Sequence, residues 1–440
     1  MSAVEIGLLL FAAMLALMAL RVPIAIAMFI PGAVGYALLA SVPALLNHLK
    51  GAAWARLSLY DLSVIPLFLL MGQFATQGGL SRALFGFANS LVGHRRGGIA
   101  MAAVLACAAF GTVCGSSVAT AATVTQVALP EMRRHHYSGR LSTATLSAGG
   151  TLGILIPPSV VLVVYAILTE QNIAKLFAAA IVPGLIAAAG YVAAIAIYVR
   201  LVPGHAPEVA RVSARERRAA ARDVWPIGVI FTVVFGGIYG GLFTPTEAAG
   251  IGAAGTFIAA VARRELGPQA LQRAFLGTAE TTGMVFLIFM GADMLNAALA
   301  LSQMPAQLAE SVAALALPPV AIVTGILIFY IILCSVMDEL SMVILTVPVL
   351  LPVITTLALY GLTSTEKVIW FGILVLSVVE IGLIAPPVGL NVYVVNSLAR
   401  DVPMAETYRG VLPFLAADAV RLTLLIAFPA LSLWAVRVIF

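Results

Sequence analysis

The residues able to do chemistry in this chain are the polar ones that interrupt long apolar runs. Gly115-Ser116-Ser117-Val118-Ala119-Thr120 lies in the middle of an otherwise apolar stretch from Ile99 to Met132. Where a helix breaks at such a point, free carbonyls can ligate a cation and free amides can hold a carboxylate, each helped by a helix dipole. The hydroxyls of Ser116, Ser117 and Thr120 add oxygens suited to a hard monovalent ion. A second apolar stretch, Pro319 to Leu357, carries Cys334-Ser335-Val336-Met337-Asp338-Glu339 near its centre, with Ser341 just beyond. Carboxylates at membrane depth are costly and therefore functional candidates. Asp338 and Glu339 have three open roles: binding sodium, relaying protons, or capping a half-helix at a vestibule. Two further breaks are Pro157-Pro158 and Pro386-Pro387, each with a glycine four residues earlier, Gly153 and Gly382. Ser147, Gly149, Gly150 and Thr151 precede the first break, and Gly389, Asn391 and Asn396 follow the second.

These interruptions need a membrane around them to matter. Of 440 residues, 62% are hydrophobic and only 10% charged, far from the roughly 25% charged of a soluble domain. Apolar runs long enough to cross a ~30 Å hydrocarbon core recur from Ile6 to Phe440. The first run lacks a basic start and a small-x-small cleavage site, so it reads as a retained span. The net charge of +5 sits in short connections and records orientation, so nucleic acid is not a partner. Cys107, Cys114 and Cys334 lie in apolar stretches and read as small buried hydrophobes. The five histidines form no metal pattern. No Walker-type lysine motif is present, which argues against ATP hydrolysis.

The predicted architecture is an all-α polytopic membrane protein. Ten spans are expected: Val4 to Leu20, Pro23 to Leu46, Leu62 to Leu84, Leu141 to Leu168, Phe177 to Leu201, Val224 to Leu242, Thr246 to Ala262, Thr281 to Leu301, Val368 to Leu398 and Val411 to Val438. The stretch at about 99–132 has His94-Arg95-Arg96 before it and Arg133-Arg134-His135-His136 after it. Basic clusters at both ends and a Gly/Ser break between them predict a hairpin entering and leaving from the cytoplasm. The stretch at about 319–357 lacks Lys and Arg on both flanks back to Leu301 and on to Lys367, predicting a periplasmic hairpin. Threading the chain through both puts the N- and C-termini in the periplasm. No arginine is expected at membrane depth. Asn47 to Leu59 and Arg264 to Phe275 read as interfacial amphipathic arms.

The landmarks repeat in order. Pro23 matches Pro245, Ser116 matches Asp338 and Pro130 matches Pro352, each 222 residues on, and Met71-Gly72 matches Met290-Gly291. Gly153 to Pro158 matches Gly382 to Pro387 at an offset of 229. Since one half starts outside and the other inside, the repeats at 1–202 and 224–440 are inverted, joined by an arginine-rich cytoplasmic linker at 203–223. An intramembrane aspartyl protease using Asp293 and Asp338 is the enzyme alternative, and it leaves the repeat unexplained. Glu247, Glu280, Asp293 and Glu380 are weaker candidates, each placed near an interface or a helix end.

Gly115-Ser-Ser-Val-Ala-Thr-Ala-Ala-Thr123, Ala128-Leu-Pro-Glu-Met-Arg-Arg134 and Ala148-Gly-Gly-Thr-Leu-Gly-Ile-Leu-Ile-Pro-Pro-Ser159 resemble the signature of large membrane subunits of tripartite ATP-independent periplasmic (TRAP) transporters. Pro66 to Gly72, Gly240 to Ala249 and Glu380 to Asn391 resemble the same family, so the likeness covers nearly the whole chain. It implies no enzymatic activity and no cofactor. What it implies instead is an elevator-type importer of a small organic anion, with Na⁺ as coupling ion, in a bacterial inner membrane. Expected partners are a small membrane subunit (DctQ-like), on a separate polypeptide, and a periplasmic substrate-binding protein (DctP-like). The resemblance places one sodium site at Gly115, Ser116, Ser117, Thr120 and Gly153, and another at Asp338, Ser341 and Gly382. It places substrate between the tips, among Ser117, Thr151, Pro157, Pro158, Glu339, Pro386, Pro387 and Asn391. A stand-alone divalent-anion/sodium symporter is the alternative.

Overall fold

Hydrocarbon offers backbone no hydrogen bonds, so a chain of this composition must satisfy its own amides and carbonyls. The computed structural model describes residues 3–314, 317–335 and 337–440, and among them there is no strand. The first part comprises α1 (Ala3–Ala19), α2 (Ile24–Leu39), α3 (Val42–Leu57), α4 (Val64–Gln77), α5 (Leu80–Val92), α6 (Gly98–Cys114), α7 (Ser117–Arg134), α8 (Gly139–Leu155), α9 (Val160–Leu168) and α10 (Ile173–Leu201). The second comprises α11 (Ala214–Tyr239), α12 (Pro245–Ala262), α13 (Pro268–Leu301), α14 (Met304–Ala314), α15 (Pro319–Cys334), α16 (Glu339–Thr356), α17 (Ser364–Ile384), α18 (Leu390–Leu398), α19 (Met404–Ala427) and α20 (Ala430–Ile439). Among the described residues six helices are long and apolar enough to cross a membrane, and five shorter apolar helices accompany them.

Both expected hairpins form. α6 ends on Gly115, whose φ of +64° is the left-handed cap that glycine tolerates without strain. Ser116 then caps α7, accepting from the Ala119 amide. In the second hairpin Asp338 caps α16, its Oδ2 accepting from Ser341 N at 3.0 Å. Val336, part of the expected tip, lies outside the described residues. Both Pro-Pro breaks are also present, separating α8 from α9 and α17 from α18. α8 and α9 meet at a 41° bend, and both Pro-Pro bonds are cis.

Several boundaries differ from expectation. The predicted span Pro23 to Leu46 stops at Leu39, and α3 starts separately at Val42. The predicted span Leu62 to Leu84 is broken after Gln77 by Gly78 and Gly79, the latter left-handed at φ +66°. The linker is partly helical, because Ser213 and Glu216 form a reciprocal capping box that starts α11 at Ala214. The second arm is no separate element, since α13 runs unbroken for 34 residues. The last predicted span divides at Phe428-Pro429 into α19 and α20.

Packing is reciprocal. α2 packs on α13 and α4 on α12, while α7 packs on α18 and α16 on α9. α6 and α7 flank α8 as α15 and α16 flank α17. α17 forms the centre of this arrangement: every residue from Val368 to Ile384 is buried. Buried side chains fix it there, with Trp370 Nε1 donating to Leu425 O at 2.9 Å and Tyr165 Oη donating to Val368 O at 2.6 Å.

Candidate functional site

The two hairpin tips meet. Ser117 Oγ, at the first turn of α7, donates to Glu339 Oε2, at the first turn of α16, at 2.7 Å. The two residues stand 222 positions apart, the offset that relates Ser116 to Asp338. Both α7 and α16 therefore point their N-terminal ends, with unsatisfied amides, toward one place.

Around the first tip, close backbone approach makes an oxygen-rich pocket. A Cβ on Gly153 would lie 2.6 Å from Thr120 Oγ1 and 2.8 Å from Ser116 O, so only glycine admits α8 this close to the tip. A Cβ on Gly111 would lie 2.6 Å from Gly153 Cα. Gly115 sits against the Pro-Pro break, where a Cβ would be 2.9 Å from Pro158 O. Gly115, Ser116, Ser117, Thr120, Gly153 and Pro158 are thus brought together. Thr120 is fully buried, and its hydroxyl has no oxygen or nitrogen partner, with the Cys114 thiol beside it. A buried hydroxyl oxygen with only a thiol beside it, next to a crowded carbonyl, fits a small cation.

The second tip repeats this with acid in place of hydroxyl. Gly382 admits the end of α15, since a Cβ there would be 2.3 Å from Cys334 Cβ. Ser341 is fully buried with its hydroxyl unpaired. Asp338 spends Oδ2 on the Ser341 amide, so the capping role is realised, and its other carboxylate oxygen has no such bond. Asn391 joins the two halves: its Nδ2 donates to Ser147 O at 3.3 Å, and its buried Oδ1 is unpaired.

Other expected residues face elsewhere. Thr151 Oγ1 donates to Ala148 O and meets Tyr191 Oη at 3.2 Å, on the α10 side of α8. Pro157 lines a 590 Å³ apolar groove among α6, α10 and α11, which is poorly suited to an anion. Pro386 and Pro387 are exposed, and Tyr408 Oη donates to Pro387 O and, at 2.7 Å, to Val388 O. Glu247 completes a capping box with Thr244.

One arginine does lie buried in a membrane-length helix, contrary to expectation. Arg421 of α19 is 2% exposed; its Nη1 is 2.6 Å from Glu380 Oε2 and its Nη2 3.0 Å from Asp418 Oδ1. Tyr191 Oη donates to Asp418 Oδ2 at 2.8 Å. The available signal was Asp418 and Arg421 at i,i+3 within an apolar run, a spacing that puts both on one helix face.

The fold defines a polytopic helical membrane protein in which the polar tips of two interrupted hairpins meet. The family profile for "Tripartite ATP-independent periplasmic transporter, DctM component" matches residues 11–431. The chain belongs to this family and is a TRAP large permease, a transport protein and not an enzyme. It is 38% identical over 376 residues to the C4-dicarboxylate TRAP transporter large permease protein DctM of Pseudomonas aeruginosa, covering 85% of this chain and 86% of that one. To the protein of the same description from Rhodobacter capsulatus it is 32% identical over 445 residues, covering 97% and 98%. The crystal structure of the Alcanivorax borkumensis YdaH transporter shares the fold, with a TM-score of 0.62 at 16% identity, covering 89% of each chain.

Proposed function

We propose that this chain is the substrate-carrying permease of a sodium-coupled importer of small organic acids, moving both hairpins and both broken helices as one body against the remaining helices. The contact between Ser117 and Glu339 carries the reading. In an inverted repeat, equivalent residues meet only at the axis relating the halves, and a site on that axis can open to either face. The division into 1–202 and 224–440, with a linker at 203–223, gains support from matched elements. α7 and α16 each have 18 residues, α9 and α18 each have 9, and their packing is reciprocal.

Sodium at the first tip would use carbonyl oxygens near Gly115 and Ser116 and the hydroxyl of Thr120, with Gly153 allowing approach. At the second it would use Asp338 and Ser341 beside Gly382. The carboxylate of Glu339 repels an anion, so substrate binding between the tips turns the Ser117 hydroxyl from Glu339 to the substrate, with Asn391 as second donor. The names of the two relatives support a C4-dicarboxylate or a similar carboxylate as cargo. A DctQ-like small subunit and a DctP-like binding protein complete the system in a bacterial inner membrane. The distribution of basic residues supports periplasmic termini.

Replacing sodium by potassium on the outer side of loaded proteoliposomes tests the coupling. Uptake should collapse, and the pair Ser116→Ala with Ser117→Ala should need more sodium for the same rate. Full uptake driven by a proton gradient without sodium would overturn the assignment.

A further inference from the structure

One side of α11 changes from charged to apolar along its length. Arg215, Arg218 and Arg222 follow at i, i+3 and i+7, so they project from the same side of the helix. Trp225, Val229 and Val233 continue that side in further steps of three and four. All six are exposed, Trp225 by 61%, Val229 by 47% and Val233 by 42%, while Ile227, Val234 and Ile238 on the opposite side are buried. The three arginines line a 530 Å³ cleft with Ala219 and Asp223.

Their charge is not spent within the protein. Five arginines and two acids lie from Arg211 to Asp223, a net +3, and Glu216 is occupied by the capping box with Ser213. Among the described residues Arg215, Arg218 and Arg222 form no ion pair, and Arg218 reaches the Ala214 carbonyl of its own helix at 3.4 Å. Arg263, at the end of α12, donates to Asp223 O at 2.9 Å and brings a further cation beside the cleft. An exposed tryptophan between basic and apolar sequence marks the membrane surface. At ~1.5 Å per residue, Arg222 stands ~4.5 Å and Arg218 ~10 Å beyond Trp225 along the axis. Their long side chains therefore span a headgroup layer ~5–7 Å deep, and Arg215 lies within about a Debye length, ~8 Å, of its outer edge.

We propose that this side of α11 is a binding site for an anionic phospholipid. The lipid phosphate sits on Arg218 and Arg222, Arg215 adds to the attraction, and an acyl chain lies along Val229 and Val233 past Trp225. The arginines fit an anion, and the apolar continuation fits a lipid where a soluble phosphate would leave it bare. None of these residues belongs to the hairpin tips, so the proposal does not depend on which ion drives transport.

The test is tryptophan quenching in the full-length chain reconstituted into phosphatidylcholine vesicles with a minor fraction of phosphatidylglycerol, the acyl chains of one lipid or the other carrying bromine as quencher. The contribution of Trp225 is the signal lost in Trp225→Phe. Each arginine near an anionic surface strengthens the attraction about fivefold. Brominated phosphatidylglycerol should therefore quench Trp225 about tenfold more than its mole fraction allows. Arg215→Gln, Arg218→Gln and Arg222→Gln together should return quenching to that fraction, and inorganic phosphate at constant ionic strength should leave the wild type unchanged. Quenching in proportion to mole fraction in the wild type overturns the proposal, as does enrichment that survives the triple substitution. Enrichment abolished by inorganic phosphate assigns the arginines to a soluble anion and overturns the lipid site. The substituted arginines are exposed and outside any ion pair, so the triple variant keeps the fold, and the wild-type and phosphate measurements decide the matter without it.

Discussion

Ser117 and Glu339 each sit in the first turn of a helix, so the hydrogen bond between them ties one hairpin tip to the other. A hydrogen bond to a charged acceptor contributes about 1.5–3 kcal/mol. A double-mutant cycle on thermal unfolding of the detergent-solubilised protein, with Ser117→Ala and Glu339→Ala, should give a coupling of about 2 kcal/mol. Additive effects would show that the tips do not hold each other. Gly153 is the second residue to probe, because a methyl there meets the backbone oxygen of Ser116, which cannot swing aside. Gly153→Ala should cost about 1–3 kcal/mol of stability and raise the sodium needed for half-maximal uptake. Unchanged sodium dependence would remove α8 from the ion site. Hydroxyls and glycines at the tips were legible because they interrupt apolar runs. Arg421 was missed although Asp418 three residues before it marks one helix face, because its other partner, Glu380, lies on α17 and pairing across helices leaves no local pattern.

At the scale of elements, breaks were easier to read than ends. Gly115 and the two Pro-Pro pairs stop helices by their own backbone chemistry, and Asp338 starts one with its side chain, each where expected. The end of α2 at Leu39 and the split at Phe428-Pro429 fall inside apolar sequence where composition does not change, so a reading by hydropathy runs through them. The start of α11 was misplaced because arginines read as loop, whereas Ser213 and Glu216 cap a helix there. Hydrogen bonds from the Ser213 amide and hydroxyl hold the Glu216 carboxyl below the usual carboxylate range. A lowered folded pKa means stability present above the unfolded value of about 4.3 and lost as pH falls through the folded one. A spin label at Ala219 should therefore gain mobility as pH falls below the usual carboxylate range, and Glu216→Gln should abolish that step. A label insensitive to acid in the wild type would show that the box does not hold the start of α11.

For the whole molecule, the shared order of landmarks in the two halves carried the architecture, and reciprocal packing of α2 on α13 and α4 on α12 agrees with it. What sequence could not supply is which helices touch across the halves, since that depends on tertiary packing rather than on any local period. Membership in the DctM family makes the chain one component of a transporter, and the account requires that it not act alone. The most direct measurement is uptake of a C4-dicarboxylate into proteoliposomes containing this chain, its small membrane subunit and the cognate binding protein, with each protein and the sodium gradient omitted in turn. The account predicts that every omission abolishes uptake. Transport by this chain without the binding protein would contradict it and identify a self-sufficient symporter.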